Sequence, residues 1–242
     1  HYPEQALKEH EALYRDLEDP ARRAYGAIVT TTDHYIGKIV NKIDSLGLRE
    51  NTIVIFMSDN GHSEETKNRI RFDKHKSGHP LDHFYGASGG GNTGKWIGKK
   101  GDFLEGGIRV PAIIRYPGKI AMDESRDQII TAMDWFPTLL ELCEIDLEDR
   151  PSFDGHSLVP ILESEDAPSG YDGQLHFQFH LHWMVRDGDW KLIGRNNQPG
   201  KYWLHNLGDE EPEVINYADA KPEIVARLKS MHDNWAKEVE PK

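Results

Sequence analysis

The chain has 242 residues, with 29 Lys and Arg against 41 Asp and Glu, so its formal net charge is −12. This acidity argues against nucleic-acid binding through phosphate neutralisation and against a polybasic membrane surface. Hydrophobic residues make up 37% of the chain, which indicates a folded core, and no apolar stretch approaches the roughly 20 residues of a membrane span.

A long helix is the first element that the sequence predicts. Asp19 followed by Pro20 is typical of a helix N-cap and the first helical position. Apolar residues then recur at helical spacing up to Leu46, and Gly47 is suited to the position that follows a last helical turn. The pattern therefore predicts one long helix that begins after Asp19 and ends at Leu46.

The elements that follow are typical of an α/β fold. The apolar run 52–57 predicts a strand buried on both faces, as in parallel sheets covered by helices. A second buried strand is predicted at 110–116 and a helix at 131–145. Residues 61–107 are polar and rich in Gly, His and Lys, which predicts a long irregular loop of the kind that usually carries function.

The sequence changes character near residue 150. Beyond it, short alternating segments surround the hairpin signal Asp187-Gly188, and an apolar stripe predicts a last helix at 222–237. We therefore predict two domains, an α/β part over 1–150 and a smaller α+β part over 151–242.

The first candidate for chemistry is Asp59-Asn60-Gly61, at the carboxyl end of the first predicted strand. Ligands bind at that edge in open α/β sheets. A carboxylate beside an amide carbonyl offers hard oxygen ligands, which suit Ca²⁺ or Mg²⁺. The same three residue types also dominate ordinary turns, so the tripeptide alone leaves both interpretations open.

A second candidate is the glycine-flanked pair Lys99-Lys100. Glycine neighbours let an ammonium group approach an anion closely, and the compact lysine charge suits a tetrahedral oxyanion. Taken alone, the segment is equally typical of a solvated basic loop.

Histidine and cysteine are further candidates for site residues. Four histidines follow the acidic motif at irregular spacing, His62, His75, His79 and His83. The spacing disfavours zinc, and a polar loop that lines a substrate cleft is the milder interpretation. Cys143 is the one cysteine and lies on an apolar helical stripe, which predicts a packed core thiol rather than a nucleophile.

Four ordered segments together resemble the type I, formylglycine-dependent sulfatases of the alkaline-phosphatase superfamily. They are 47–61, 100–111, 133–140 with 154–158, and 189–192 with 204–213. The resemblance extends over nearly the whole chain. It implies an α/β fold, in which residues 1–150 are the C-terminal part of a mixed sheet sandwiched by helices. Residues 151–242 would add a small antiparallel sheet with one helix.

The resemblance also implies roles for individual residues. Asp59 and Asn60 are similar to two ligands of the active-site cation, which is Ca²⁺ with Mg²⁺ as the alternative. Lys100 resembles the lysine that contacts the sulfate and the leaving-group oxygen. His1 resembles the histidine that also contacts the sulfate and protonates the leaving group, and His62 is a further candidate for substrate binding.

The chain departs from the family pattern in one major respect. The family nucleophile is a formylglycine made within a Cys/Ser-x-Pro-x-Arg motif, and neither Cys143 nor any serine lies in such a motif. The metal-binding aspartates that precede this motif in the family are absent too. We therefore expect the chain, which begins at His1 without Met, to be the C-terminal portion of a longer sulfuric ester hydrolase. The formylglycine and the N-terminal half would lie upstream, and the chain alone would be inactive and prone to associate.

A smaller departure is Asp102, where the family commonly has Thr or Ser. An acid at that position is expected either to weaken anion binding locally or to face solvent.

Three functional hypotheses remain at this point. The first is an arylsulfatase-like hydrolase of a sulfated carbohydrate, with aromatic residues near Trp183 and Trp203 lining a sugar cleft. The second is a phosphodiesterase or phosphonate hydrolase of the same superfamily, which Asn60 disfavours because an amide is a poor zinc ligand. The third is a non-catalytic subunit that binds a sulfated ligand. The family resemblance implies export to the periplasm, the extracellular space or the lysosome.

Overall fold

A computed structural model describes residues 6–63, 71–73, 84–86, 91–149 and 151–239. Helices and three sheets give it an α/β composition, as predicted. The internal contacts divide the chain into two compact units, His1–Ile114 and Arg115–Lys242. The domain boundary near residue 150 stays a prediction.

The first unit is dominated by one long helix. After the short α1 (Lys8–Glu11), α2 (Pro20–Ser45) extends over 26 residues. The Asp19 carboxylate caps it by accepting a 2.9 Å hydrogen bond from the backbone N–H of Ala21. Gly47 follows the last turn with φ of 70°, a left-handed conformation that favours glycine. Both predicted ends of the helix are therefore confirmed.

The strands of the first unit are short. β1 (Val54–Met57) pairs with β4 (Ala112–Arg115), and β2 (Arg71–Asp73) pairs antiparallel with β3 (Phe84–Gly86). The four-residue helix α3 (Glu105–Ile108) precedes β4. The prediction of an irregular loop over 61–107 is thus wrong in part. Elements of three or four residues are too short to produce a recognisable period in the sequence.

The apolar sequence predicts strands that are buried on both faces. Neither β1 nor β4 is buried in this way. Phe56 is 41% exposed and Ile113 is 60% exposed. The backbone N–H of Ser58 donates to Pro111 O and that of Gly61 donates to Gly107 O, so the segments that continue from the two strands run in opposite directions. Within the described residues these strands form only a two-stranded sheet, which leaves part of their apolar surface exposed.

The second unit contains the predicted antiparallel sheet and the predicted last helix. Its four strands lie in chain order, and every neighbouring pair is antiparallel. The elements are α4 (Trp135–Leu142), α5 (Val159–Glu163), β5 (Gln174–Phe179), β6 (His182–Asp187), β7 (Trp190–Arg195), β8 (Tyr202–Asn206) and α6 (Pro222–Val239). Gly188 makes the β6–β7 turn with φ of 59°, which confirms the hairpin signal.

The core of this unit lies between the sheet and α6. Its five buried members are Trp183, Val185, Leu192, Leu204 and Leu228. Trp183 is only 2% exposed, and its indole stacks on the imidazole of His232 with ring centroids 4.2 Å apart. The prediction that Trp183 lines a sugar cleft is therefore wrong, because its side chain belongs to the helix–sheet core.

Helix α4 is held by a buried carboxylate rather than by a thiol. Asp134 is fully buried and accepts hydrogen bonds from the backbone N–H of Thr131 and His156 and from the hydroxyl of Tyr171. Burial, followed by the hydrogen bond to the Asp134 carboxylate, raises the pKa of Tyr171 above its ordinary value. Cys143 follows the end of α4 and is exposed, so the prediction of a core thiol is wrong. The helix buries a neighbouring face instead, through Pro137, Thr138 and Leu140.

A buried ion pair joins the sheet to the segment that follows β8. Lys191 Nζ donates to Glu213 Oε1 at 2.9 Å, and both side chains are fully buried. Glu213 has a φ of 67°, an uncommon conformation for a residue with a side chain. The charge pair therefore fixes a strained backbone position against the sheet.

Candidate active site

The first unit contains a cavity of about 410 Å³ at the carboxyl end of β1. Most of its wall comes from the segment after β1 and from the glycine-rich segment before β4. Its lining residues are Tyr25, Ser58, Asp59, Asn60, Gly61, His62, Ser63, Gly91, Asn92, Thr93, Lys100, Arg109, Val110 and Pro111. Asp59, Asn60, His62 and Lys100, which sequence reasoning singled out separately, thus line one cavity.

The turn after β1 presents two oxygen-bearing side chains. The Ser58 hydroxyl donates to Asn60 O at 2.8 Å, and the Asn60 side-chain Nδ2 donates to Gly61 O at 2.8 Å. The second hydrogen bond engages the amide nitrogen of Asn60 and leaves its Oδ1 to serve as an acceptor. Asp59 is exposed beside it. The turn therefore offers one carboxylate and one carbonyl oxygen to the cavity.

Three glycines allow the two segments to pack backbone against backbone. A Cβ on Gly61 would lie 1.8 Å from Gly106 O. One on Gly106 would lie 2.6 Å from the carbonyl oxygens of two residues, and one on Gly107 would lie 2.4 Å from another. Contacts this short leave no space for any side chain. The glycines are what allow the Asp59 turn and the Lys100 loop to meet.

Lys100 is fixed through its backbone to the Asp59 turn. Its N–H donates to His62 O at 2.9 Å, and Gly101 follows it with φ of 93°. The loop is closed by Asp102, whose N–H donates to Lys99 O at 2.9 Å and whose carboxylate accepts from Lys99 N at 3.2 Å. The Asp102 carboxylate therefore stabilises this loop by accepting a hydrogen bond from the backbone N–H of Lys99.

Two cavity residues, Arg109 and Tyr25, were missed by sequence reasoning. The Arg109 guanidinium stacks over Trp96 with its carbon 4.2 Å from the ring centroid. Its Nη1 donates to the buried Glu105 at 3.4 Å. Tyr25 lies on α2, and a Cβ on Gly91 would approach its ring within 3.0 Å. Arg109 lies within a segment that carries the family resemblance. The sequence contains no signal that separates Tyr25 from its helical stripe.

The histidines divide into described and undescribed positions. His62 lines the cavity, and its Nδ1 is buried with no hydrogen-bond partner among the described residues. His1, His75, His79 and His83 lie outside the described residues. The role that the resemblance implies for His1 therefore stays a prediction.

The donor set fits part of a hard-cation site. Asp59 and Asn60 supply two oxygen donors from adjacent residues, as Ca²⁺ or Mg²⁺ requires. No group of three His, Cys, Asp or Glu side chains that could hold a metal ion occurs in the part of the chain that the structure describes. These residues therefore fit the cation as two ligands of a larger set.

Comparisons with known proteins place the chain in one family. The Sulfatase family matches residues 1–145, and the family described as N-sulphoglucosamine sulphohydrolase, C-terminal, matches residues 94–239. An uncharacterized sulfatase of Schizosaccharomyces pombe is 31% identical over 94% of this chain and 44% of its own length. The chain belongs to the sulfatase family.

Two further similarities agree with this assignment. The steryl-sulfatase of Homo sapiens is 32% identical over 71% of this chain and 27% of its own length. The crystal structure of Ps i-CgsB in complex with k-i-k-neocarrahexaose superposes with a TM-score of 0.76 at 21% identity, over 98% of this chain and 48% of that one. It confirms the sulfatase fold. The chain spans less than half the length of these relatives.

No helix in the described ranges is both long and apolar enough to cross a bilayer.

Proposed function

We propose that the chain is the C-terminal portion of a sulfuric ester hydrolase, and that its cavity forms part of the active site. The observation that carries the proposal is that Lys100 lines the same cavity as Asp59 and Asn60, through the hydrogen bond from Lys100 N to His62 O. An ammonium group and two hard oxygen donors around one cavity suit a tetrahedral anionic group.

The chemistry assigns each residue a task. Cleavage of a sulfate ester places negative charge on the leaving oxygen, and Lys100 would stabilise that charge. Asp59 and Asn60 would hold a divalent cation, Ca²⁺ or Mg²⁺, which polarises the sulfate when bound. His62 would contact the substrate, and His1 would hand a proton to the leaving alkoxide.

The remaining parts of the reaction are proposed to come from upstream. The formylglycine nucleophile and further cation ligands would lie in an N-terminal half, which is supported by relatives more than twice as long as the matched region. The 242-residue chain alone should therefore release no sulfate from an ester. Measurable turnover by the purified chain would contradict this division. Export of the whole protein, as the family resemblance implies, is part of the same proposal.

A sulfated carbohydrate is the proposed substrate class. The match of residues 94–239 to the C-terminal family of an amino-sugar sulphohydrolase supports it. The similarity to a steryl-sulfatase makes a sulfated steroid the competing class. Hydrolysis of a sulfated monosaccharide and of a steroid sulfate by the full-length protein would separate them.

The activity is tested with the full-length protein. We expect it to hydrolyse 4-nitrophenyl sulfate faster than bis(4-nitrophenyl) phosphate, and to lose activity with a chelator and regain it with Ca²⁺. Lys100→Ala should lower kcat/KM by about 100- to 1,000-fold, as the loss of one donor to a developing oxyanion does. Lys95→Ala is the matched control, because Lys95 is exposed and stacks on Trp96 without lining the cavity.

Two outcomes would favour the other hypotheses. Faster phosphodiester hydrolysis would indicate the phosphodiesterase or phosphonate hydrolase hypothesis. Binding of sulfate esters without turnover by the full-length protein would indicate a non-catalytic binding protein.

A further inference from the structure

The second unit has an aromatic and cationic surface around Trp203 that the proposed active site does not use. Trp203 lies on β8, opposite Ile193 of β7. Its neighbour Leu204 is buried in the core against α6. Because successive side chains of a strand point to opposite faces, Trp203 projects from the other face of the sheet, where it is half-buried.

Two cations lie against the Trp203 ring. The guanidinium carbon of Arg195 is 5.6 Å from the ring centroid, and Lys201 Nζ is 5.5 Å from it. Both distances are within the range of cation–π attraction. Arg195 is the last residue of β7, and Lys201 immediately precedes β8. The indole therefore contacts one cation from each end of the same hairpin loop.

The surrounding sequence leaves these charges locally unopposed. No Asp or Glu occurs between residues 190 and 208, although the whole chain contains 41 of them. The third cation of this segment, Lys191, is buried and paired with Glu213. Arg195 and Lys201 therefore form a basic spot on an acidic protein.

Backbone hydrogen bonds order the hairpin loop. The backbone N–H of Gln198 donates to Arg195 O at 3.0 Å, and that of Lys201 donates to Gln198 O at 3.2 Å. The backbone N–H of Asn196 donates to Leu181 O at 2.8 Å, which ties the loop to the β5–β6 turn. The side chains of Asn196 and Asn197 are exposed on this ordered loop.

We propose that Arg195, Lys201 and Trp203 form a binding site for a sulfated oligosaccharide. A sulfate group carries oxygens that accept hydrogen bonds from a guanidinium and an ammonium together. Both cations contact the Trp203 ring, and the side-chain amides of Asn196 and Asn197 can pair with sugar hydroxyls. The site rests on the proposed function for its ligand class and adds a binding surface outside the cavity, and it is tested by binding rather than turnover.

The test compares affinities of the full-length protein for matched ligands. The Lys100→Ala background suppresses the proposed hydrolysis, and dissociation constants are measured by calorimetry. The probes are κ-carrageenan and chondroitin 6-sulfate hexasaccharides, each beside its desulfated counterpart. We expect Arg195→Gln with Lys201→Gln to weaken binding of at least one sulfated hexasaccharide by about tenfold and to leave the desulfated forms unchanged.

Controls separate the site from folding and from net charge. Lys237→Gln removes an exposed charge from α6 and should leave all affinities unchanged. Trp203→Ala should weaken the sulfated ligands without altering either cation, and thermal unfolding checks that this variant remains folded. An unchanged affinity for both sulfated hexasaccharides in the double charge variant would overturn the proposal. If the same variant instead lowered the melting temperature, Arg195 and Lys201 would serve the stability of the fold rather than ligand binding, and this would also overturn the proposal.

The outcome does not depend on the proposed hydrolase activity. A full-length protein that cleaves no sulfate ester can still lose affinity with the charge variant, which would support the binding site and reject the enzyme. Hydrolysis of 4-nitrophenyl sulfate together with unchanged affinities would support the enzyme and reject the binding site.

Discussion

In residues 115–242 the buried apolar side chains are large and come from both the sheet and the helices, whereas in residues 1–114 they are three alanines of α2. The three are Ala21, Ala24 and Ala27, and this contrast holds for the described residues. The second unit thus has the helix-on-sheet core that stabilises ordinary domains. The first unit instead has close backbone contacts around its cavity.

The difference shows where each unit obtains its stability. Burial of apolar side chains is the main favourable term in folding, and the first unit exposes much of its apolar surface. Val29 and Ile39 of α2 are 48% and 61% exposed, and Phe56 and Ile113 of the strands are similarly open. We therefore expect the first unit to need the remainder of a longer protein and the second to be self-sufficient.

The largest effect is expected when the two units are produced separately. Residues 115–242 should give a monodisperse protein that unfolds in one cooperative transition. Residues 1–114 should aggregate or show no transition, because their apolar helix and strands remain uncovered. Denaturant titration and light scattering check both. Cooperative unfolding of residues 1–114 would remove the distinction between the units.

A glycine substitution tests whether backbone contacts hold the cavity. Gly61→Ala places a Cβ 1.8 Å from Gly106 O, so the two segments must separate. In the full-length protein we expect at least a roughly 100-fold fall in turnover, because a small misplacement of catalytic groups has this effect.

The control for this prediction is Gly47→Ala. Gly47 has positive φ, unlike Gly61, and a Cβ at Gly47 meets nothing within 4 Å. It should therefore cost only about 1–2 kcal/mol of unfolding free energy and leave turnover intact. Equal losses of turnover in the two variants would show that the short contact at Gly61 is not what positions the site.

In the second unit, breaking the buried ion pair should act on stability. Lys191→Met leaves the Glu213 carboxylate buried without its cation, and the unfolding free energy should fall by about 3–5 kcal/mol. Lys191→Met combined with Glu213→Leu should recover most of this loss. Lys229→Met, which removes a partly exposed i,i+4 pair with Asp233, should cost less than about 1 kcal/mol. Denaturant unfolding of residues 115–242 measures all three variants.

The sequence was most informative where local chemistry decides the structure. Asp19 and Gly47 determine both ends of α2 through capping and left-handed φ, and both positions are readable from residue type. The sequence failed where burial depends on distant surfaces. The run containing Phe56 has the composition of a buried strand, yet its covering layer is absent from the described residues. For the same reason Trp183, which was expected to line a cleft, is buried, and Cys143, which was expected to be buried, is exposed.

The candidate site shows the same limit. The resemblance drew attention to Asp59, Asn60 and Lys100 because they lie in recognisable segments. Arg109 lies in one of the same segments, but its contact with Trp96 is a tertiary one, and Tyr25 reaches the cavity from a distant helix. Spacing along the chain contains no record of such contacts.

The smallest effect concerns how the second unit responds to acid. Burial lowers the pKa of His232 to about 4 from its ordinary 6.5, and His176 beside it is lowered too. Asp233 opposes the shift of His232, whereas Lys229 and His176 reinforce it. The rings of Trp183 and Trp235 also pack on His232, and both are uncharged. Below pH 6.5 these two imidazoles therefore bind protons more readily in the unfolded chain than in the folded unit.

The sign of this linkage makes the prediction specific. Because the folded pKa lies below the unfolded one, stability is retained above pH 6.5 and falls as the pH drops toward 4. The loss from His232 should be about 2–3 kcal/mol. His232→Phe keeps an aromatic ring against Trp183 and removes the titration, so the pH slope of its unfolding free energy should be shallower over that interval. The same slope in both proteins would mean that the helix–sheet core tolerates the charged imidazole, and the core would then be looser than its buried side chains indicate.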